Sequence, residues 1–305
     1  MKKLKVLLLS LVSLVFLASC SLPGLPSNKD DNVIGISGGV TTESQILASL
    51  TDEMIRHYTD KKTSVINNLG TATINQQALE RKDIDLAAAR YTGTDITTIL
   101  QMDAIKDPQK AYEVDRRESK KRFDQKVYPS FGFSNAFVFL VRKDTAEKYH
   151  LKKVSDLKAI SDQLTVGTDR PWLTRKGDGY PGFIKEYGFE FKKMLPMQIG
   201  LVYDAVAAHK VDVVLGYSTD GRIISNNLVA LEDDHHFFPP YDAVIIANQN
   251  ILDQDPEVDQ ALARLEDTIS TETMQRLNYE ADNNLIEPSI VAKNFLEKNH
   301  YFEDK

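Results

Sequence analysis

In Val33-Ile34-Gly35-Ile36-Ser37-Gly38-Gly39-Val40-Thr41-Thr42-Glu43-Ser44-Gln45-Ile46-Leu47 the pattern passes from strand to helix. The first four residues form the short apolar run of a buried strand, and the glycines turn the chain. From Thr42 to Tyr58, Ile46, Leu47, Leu50, Met54 and Ile55 recur at helical spacing, with Thr41 or Thr42 available as N-cap. The same unit repeats along the chain. Ser64–Ile66 leads to a helix over Thr73–Arg81. Ile84–Ala89 and Ala136–Val141 read as strands, and Asp144 opens the helix after the second. Leu164–Gly167, Val211–Gly216, Leu228–Leu231 and Ala243–Ala247 complete the strands. Helical patterns lie at Ile199–Ala208, Pro256–Ile269, Thr271–Ala281 and Ser289–Lys298. This alternation predicts an α/β fold with mostly parallel sheets.

The 305 residues exceed the ~100–200 of a single core, so two domains or lobes are expected. The chain opens Met1-Lys2-Lys3-Leu4-Lys5, continues in an apolar run from Val6 to Ala18, and reaches Leu17-Ala18-Ser19-Cys20. A charged start, a short apolar stretch and small residues at a cleavage point predict a secretory signal over residues 1–19. The stretch is shorter than the ~20 apolar residues of a transmembrane helix. Cys20 is the only cysteine, so no disulfide framework exists and an exported thiol needs another use. Residues 20–32, which include Pro23-Gly24-Leu25-Pro26-Ser27, have the composition of a tether. Removing residues 1–19 takes away three lysines and no acid, leaving a body more acidic than the net −7 of the whole. That charge argues against nucleic acid and against a polybasic membrane patch.

Catalytic and metal motifs give way to plainer readings. Gly35-Ile36-Ser37-Gly38-Gly39 matches the G-x-S-x-G nucleophile elbow, between a strand and a helix as that motif requires. It follows the first strand of the body, however, and no obvious acid and histidine complete a triad. A glycine-rich turn is the better reading. His235-His236, flanked by Asp233 and Asp234, has no partners at zinc-like spacing and reads as a solvated loop. No P-loop or dinucleotide fingerprint is present. The charge-rich residues 109–125 read as one solvated helix face. No metal, cofactor or catalytic residue is expected.

The aromatic residues carry more information. Ala89-Arg90-Tyr91-Thr92-Gly93-Thr94, Phe131-Gly132-Phe133-Ser134-Asn135-Ala136-Phe137, Gly216-Tyr217-Ser218-Thr219-Asp220-Gly221 and Phe237-Phe238-Pro239-Pro240-Tyr241-Asp242 read as strand-to-helix transitions bearing aromatic or amide side chains. Ligands of open α/β sheets bind beyond the carboxyl ends of strands. Several aromatic rings there, in a chain without catalytic machinery, suggest a cage for a quaternary ammonium ion. Such a cation is held by ring quadrupoles and has no N–H to donate.

From about Val33 to the C-terminal helices the chain resembles the compatible-solute binding lipoproteins of Opu-type ABC importers. The markers are Thr41–Ala48, Asn68-Leu69-Gly70, Tyr91–Thr94, Phe131–Asn135, Asp178-Gly179-Tyr180-Pro181-Gly182-Phe183 and Gly216–Ile223. The resemblance implies a two-lobed binding-protein fold (type II) with two hinge strands and the ligand in the interlobe cleft. One lobe would hold residues 33–135 plus 241–305 and the other 136–240. It implies an extracellular solute-binding subunit, not an enzyme, that captures choline, glycine betaine or carnitine for osmoprotective uptake. The alternatives are another betaine such as ergothioneine, or a secreted serine hydrolase using Ser37. The implied cage is Tyr91, Phe137, Tyr217 and Tyr241, with Gln45, Thr94 and Asn135 contacting polar parts of the ligand. The family usually has Tyr where this chain has Phe137, which keeps a ring and loses a hydroxyl. Thr94 is neutral. An Asp in its place would favour choline over betaine or carnitine on charge grounds, so the pocket is expected to accept zwitterions as well as choline. Trp172 and Arg175 have two readings, facing the cleft or packing and solvating the second lobe. Leu17-Ala18-Ser19-Cys20 resembles a lipobox, implying a lipidated Cys20 and anchorage at the outer face of the membrane of a Gram-positive-type cell. The implied partners are a permease and, through it, a cytoplasmic ATPase.

Overall fold

The computed structural model describes residues 33–303; the expected signal over residues 1–19 and the whole expected tether, Cys20 included, lie outside them. Two five-stranded sheets organise the chain. The first contains β1 (Val33–Ser37), β2 (Lys62–Ile66), β3 (Leu86–Tyr91), β4 (Gln125–Val127) and β10 (Ala243–Asn248), in the order β2-β1-β3-β10-β4. The second contains β5 (Phe137–Arg142), β6 (Thr165–Thr168), β7 (Lys193–Pro196), β8 (Val213–Tyr217) and β9 (Leu228–Leu231), in the order β7-β6-β8-β5-β9.

Both sheets follow one plan. Three strands run parallel, and the fourth, β10 or β5, runs antiparallel to its neighbours on both sides. The sheets are therefore mixed, a correction to the expectation of mostly parallel pairing. The reversed strand in each is the one that receives the chain from the other sheet. The two crossing segments pair with each other. Ser134 bridges Asp242, the Asn135 N–H donates to the Tyr241 carbonyl at 3.0 Å, and the Ala243 N–H donates to the Phe133 carbonyl at 3.1 Å.

The first helix spans Thr42–Tyr58 as its periodicity predicts. Thr41 caps it in a reciprocal box with Ser44, and Ile46, Leu47, Leu50, Met54 and Ile55 are all fully buried. They pack with Ile34 and Ile36 of β1 and with Val291 and Phe295 of the helix Pro288–Lys298. The second sheet builds its core largely from rings, with Phe139, Trp172, Phe183, Phe191 and Phe238 in one cluster. The helix expected over Pro256–Ile269 stops at Ala263. The marker segment Asp178–Phe183 leads into a helix, Tyr180–Tyr187. Strands β4 and β7 were not legible. They are three and four residues long, lie at sheet edges and carry Gln, Lys and Pro, so no apolar run marks them. No helix among the described residues is long and apolar enough to cross a membrane.

Candidate functional site

The antiparallel strands explain how four distant rings meet. Tyr91 ends β3 and Tyr217 ends β8, as expected of side chains beyond the carboxyl ends of parallel strands. Phe137 instead opens β5, and Tyr241 lies just before β10, so the sequence reading of these two as strand-to-helix transitions is corrected. Because β5 and β10 run backwards, their beginnings lie beside the ends of their neighbours. Phe137 is the register partner of Tyr217, and Ala243 that of Tyr91. Reversal brings all four aromatic positions to the gap between the sheets.

There they line a cavity of about 240 Å³ with Thr94, Asn135 and Arg175. Phe137 and Tyr217 stack at 5.2 Å, and Phe137 also packs on Phe238 at 5.7 Å. Gly93 lets Tyr241 approach, since a Cβ there would lie 2.5 Å from the Pro240 carbonyl and 3.1 Å from the Tyr241 ring. A larger cleft of about 500 Å³ adjoins the cavity, shares Tyr91, Asn135 and Tyr217, and is also lined by Glu43, Arg222, Asn278 and Asp282.

Of the residues expected to touch a ligand, Gln45 alone does not line the cavity or the adjoining cleft. On a helix, residues two apart point about 200° from one another. The residues of that helix which line the cleft are Thr42 and Glu43, and Glu43 reaches the cage wall. Its Oε1 accepts from the Tyr91 hydroxyl at 2.5 Å and from Asn135 Nδ2 at 2.8 Å, and its Oε2 accepts from Asn278 Nδ2 at 3.3 Å. Sequence reading missed it because an acid in the first turn of a helix is ordinarily taken as complementing the helix dipole.

Trp172 and Arg175 part company. Trp172 is fully buried, its Nε1 donating to the Asp178 carbonyl at 2.8 Å and its ring edge-on to Phe139. Arg175 faces the cavity. Its guanidinium lies 5.7 Å from the Phe137 ring centre, donates to the Tyr241 hydroxyl at 3.2 Å and pairs with Asp178 at 2.9 Å. Burial raises the hydroxyls of Tyr91, Tyr217 and Tyr241 above the ordinary phenol value. The Glu43 charge adds to burial at Tyr91 and Asp169 adds to it at Tyr217, whereas Arg175 opposes it at Tyr241. All three therefore remain neutral O–H groups near neutral pH.

The lobes also touch beyond the cavity. Gln275 Nε2 donates to the Ser218 carbonyl at 2.6 Å and Asn278 Nδ2 to that of Thr219 at 2.9 Å. Gly221 permits this approach, because a Cβ there would lie 2.6 Å from the Tyr279 nitrogen. Ser37 is 2% exposed and borders a recess that shares Tyr91 and Thr94 with the cavity and in which no histidine takes part. His235 stacks on Tyr187 and lies 3.4 Å from Glu186. No cluster of three or more potential metal ligands occurs among the described residues.

Residues 33–298 match the family described as the substrate-binding domain of ABC-type glycine betaine transport systems. The chain is 50% identical, over 97% of its own length and 96% of the relative's, to the carnitine transport binding protein OpuCC of Listeria monocytogenes. It is 31% identical, over 94% of its length, to the ergothioneine transport permease/ergothioneine binding protein EgtU of Helicobacter pylori, of which it spans 51%. Among solved structures, that of a glycine betaine/carnitine/choline ABC transporter superposes with a TM-score of 0.86 at 48% identity, covering 88% of this chain and 99% of the other.

Proposed function

The chain belongs to the family of substrate-binding domains of ABC-type glycine betaine transport systems, and on that premise we propose that it captures a quaternary ammonium osmolyte in the cage of Tyr91, Phe137, Tyr217 and Tyr241. The observation that carries the reading is the convergence of these four rings on one cavity of about 240 Å³. That volume is below the ~300–1,000 Å³ of pockets for drug-sized ligands and suits a small solute. Each ring face would contribute ~0.5–2 kcal/mol to holding the cation. Arg175 supplies a positive charge in the same cavity, which suits the carboxylate of carnitine or glycine betaine. Thr94 and Asn135 supply neutral polar groups.

The names of the relatives support this ligand class, carnitine above all. A subunit of an ABC importer hands its small ligand to a permease driven by an ATPase. The lobes, residues 33–135 plus 241–305 and residues 136–240, would close on the ligand and deliver it. Cys20 would carry the lipid that holds the protein at the outer membrane face. Changing Cys20→Ala should then release the protein from the membrane fraction or block its processing; unchanged fractionation and processing would remove the anchor from the proposal.

Titration calorimetry of the purified protein with carnitine, glycine betaine, choline and ergothioneine tests the ligand class. Saturable binding of at least one of the first three is expected, together with ligand-dependent thermal stabilisation. Binding of ergothioneine alone, or of none, would overturn the reading.

A further inference from the structure

We propose, resting on the ligand class above, that Glu43 is a specificity-determining residue that makes this cavity prefer a cation to a neutral group of the same shape, acting through Tyr91 from behind the cage wall.

Glu43 is the second residue of the helix Thr42–Tyr58 and is only 4% exposed. Three donors converge on its carboxylate, from Tyr91, Asn135 and Asn278. That arrangement suits an ionised, acceptor-only group. All three donors are neutral, and no Lys, Arg or His forms an ion pair with Glu43 among the described residues. A buried carboxylate left without a cation is costly. The positive end of its own helix offsets part of that cost. The remainder is best offset by a cation that arrives with the ligand.

The location fits such a role. Tyr91 and Asn135 both line the cavity, so the negative charge lies immediately behind one aromatic wall. A phenol donating to a carboxylate becomes more electron-rich, which deepens the negative face of its ring. Arg175 stands against other walls of the same cavity, beside Phe137 and Tyr241. The cavity is therefore bipolar, with its negative end at Tyr91 and its positive end at Arg175. A zwitterion would lie with its ammonium toward Glu43 and its carboxylate toward Arg175. The sequence reading considered a counter-charge at position 94, where a neutral threonine stands; the carboxylate is supplied from position 43 instead.

A purely structural brace would hold Tyr91, Asn135 and Asn278 in place and would affect every ligand alike. Choline and its neutral isostere 3,3-dimethylbutan-1-ol, with a tert-butyl group in place of trimethylammonium, separate the two roles. Affinities are measured by calorimetry, by displacement for the weak neutral ligand, on the wild type, Glu43→Gln and Glu43→Asp. The glutamine keeps an oxygen for Tyr91 and removes the charge. We expect it to weaken choline roughly fifty- to a hundred-fold, as for unit charges about 6–7 Å apart at an effective dielectric of about 20. The isostere should change less than about twofold. The aspartate keeps the charge and should keep the preference for choline even where absolute affinity falls. Parallel weakening of both ligands by Glu43→Gln, unchanged choline binding in that variant, or a lost preference in Glu43→Asp would each overturn the proposal. If the glutamine variant does not fold, the aspartate variant decides. A wild type that binds no quaternary ammonium ligand at all would instead refute the proposed function.

Discussion

Phe137 and Tyr217 are register partners on adjacent antiparallel strands, and their rings stack 5.2 Å apart at an interplanar angle of 27°. The contact joins the strand that enters the second sheet to one that leaves its centre. It fixes two cage walls relative to each other before any ligand arrives. Pre-organisation of this kind lowers the entropy lost on binding.

Truncation of single rings should therefore have graded effects. Tyr91→Ala, Tyr217→Ala and Tyr241→Ala are each expected to weaken choline and betaine by ~1–2 kcal/mol, roughly 5- to 30-fold. Tyr→Phe at the same positions should cost less at Tyr217, whose ring is the larger asset. At Tyr91 it should cost more, because the hydroxyl is the link to Glu43. Calorimetry on the six variants checks the series, and wild-type affinity in all three alanine variants would remove the cage.

Arg175 should sort ligands by their anionic end. Arg175→Met keeps much of the apolar stem and removes the charge, so carnitine and glycine betaine are expected to lose about 10- to 100-fold, the range of a charge-assisted hydrogen bond. Choline, which has no carboxylate, should bind as well or more tightly, because a like charge leaves the cavity. Equal losses for choline and carnitine would show that Arg175 holds Tyr241 and Asp178 in place and does not read the ligand.

Binding of choline should be flat between pH 6 and 8. The cation has no proton to lose, and burial lifts the hydroxyls of Tyr91, Tyr217 and Tyr241 above the ordinary phenol value. None of the three cage phenols ionises in that window. A change of more than about threefold in affinity across it would point to another titrating group at the cavity.

Stability, in contrast, should carry a pH dependence from a buried acid that does not line the cavity. Asp115 is fully buried, accepts from Ser119 Oγ at 3.0 Å and faces the buried Arg90–Asp95 pair. Burial, reinforced by the Asp95 charge, pushes its carboxyl up from 3.8 to about 8. The folded state thus keeps a proton that the unfolded chain releases near pH 4. Between about pH 4 and 8 the unfolded state binds fewer protons, so this group's contribution falls as pH rises, by at most about 1.4 kcal/mol per pH unit. Asp115→Asn removes the dependence. Its Tm relative to wild type should rise from pH 5 to pH 8, by differential scanning calorimetry, and a constant difference would refute the assignment.

Much of the local structure was legible because periodicity and capping act over short distances. The helix Thr42–Tyr58 needs only its apolar spacing and the Thr41 cap, and β9 over Leu228–Leu231 needs only its own apolar run. Tyr91 and Tyr217 could be placed at a ligand-facing edge from the strands that precede them. The edge strands Gln125–Val127 and Lys193–Pro196 could not be found this way, since their partners define them and their residue types do not.

The sequence by itself determined which rings were available and that strands and helices would alternate. The tertiary structure decided how they meet. Phe137 and Tyr241 reach the cavity only because β5 and β10 run against their neighbours, a relation between strands far apart in the chain. Helix rotation turned Glu43 to the cleft and left Gln45 out of its lining, although both lie in one short marker segment. Arg175 and Trp172, three residues apart, went to the cavity and to the core, where the indole packs among the rings of the second sheet. Backbone periodicity is written locally, whereas register, strand direction and helix rotation are set by the packing of the whole chain.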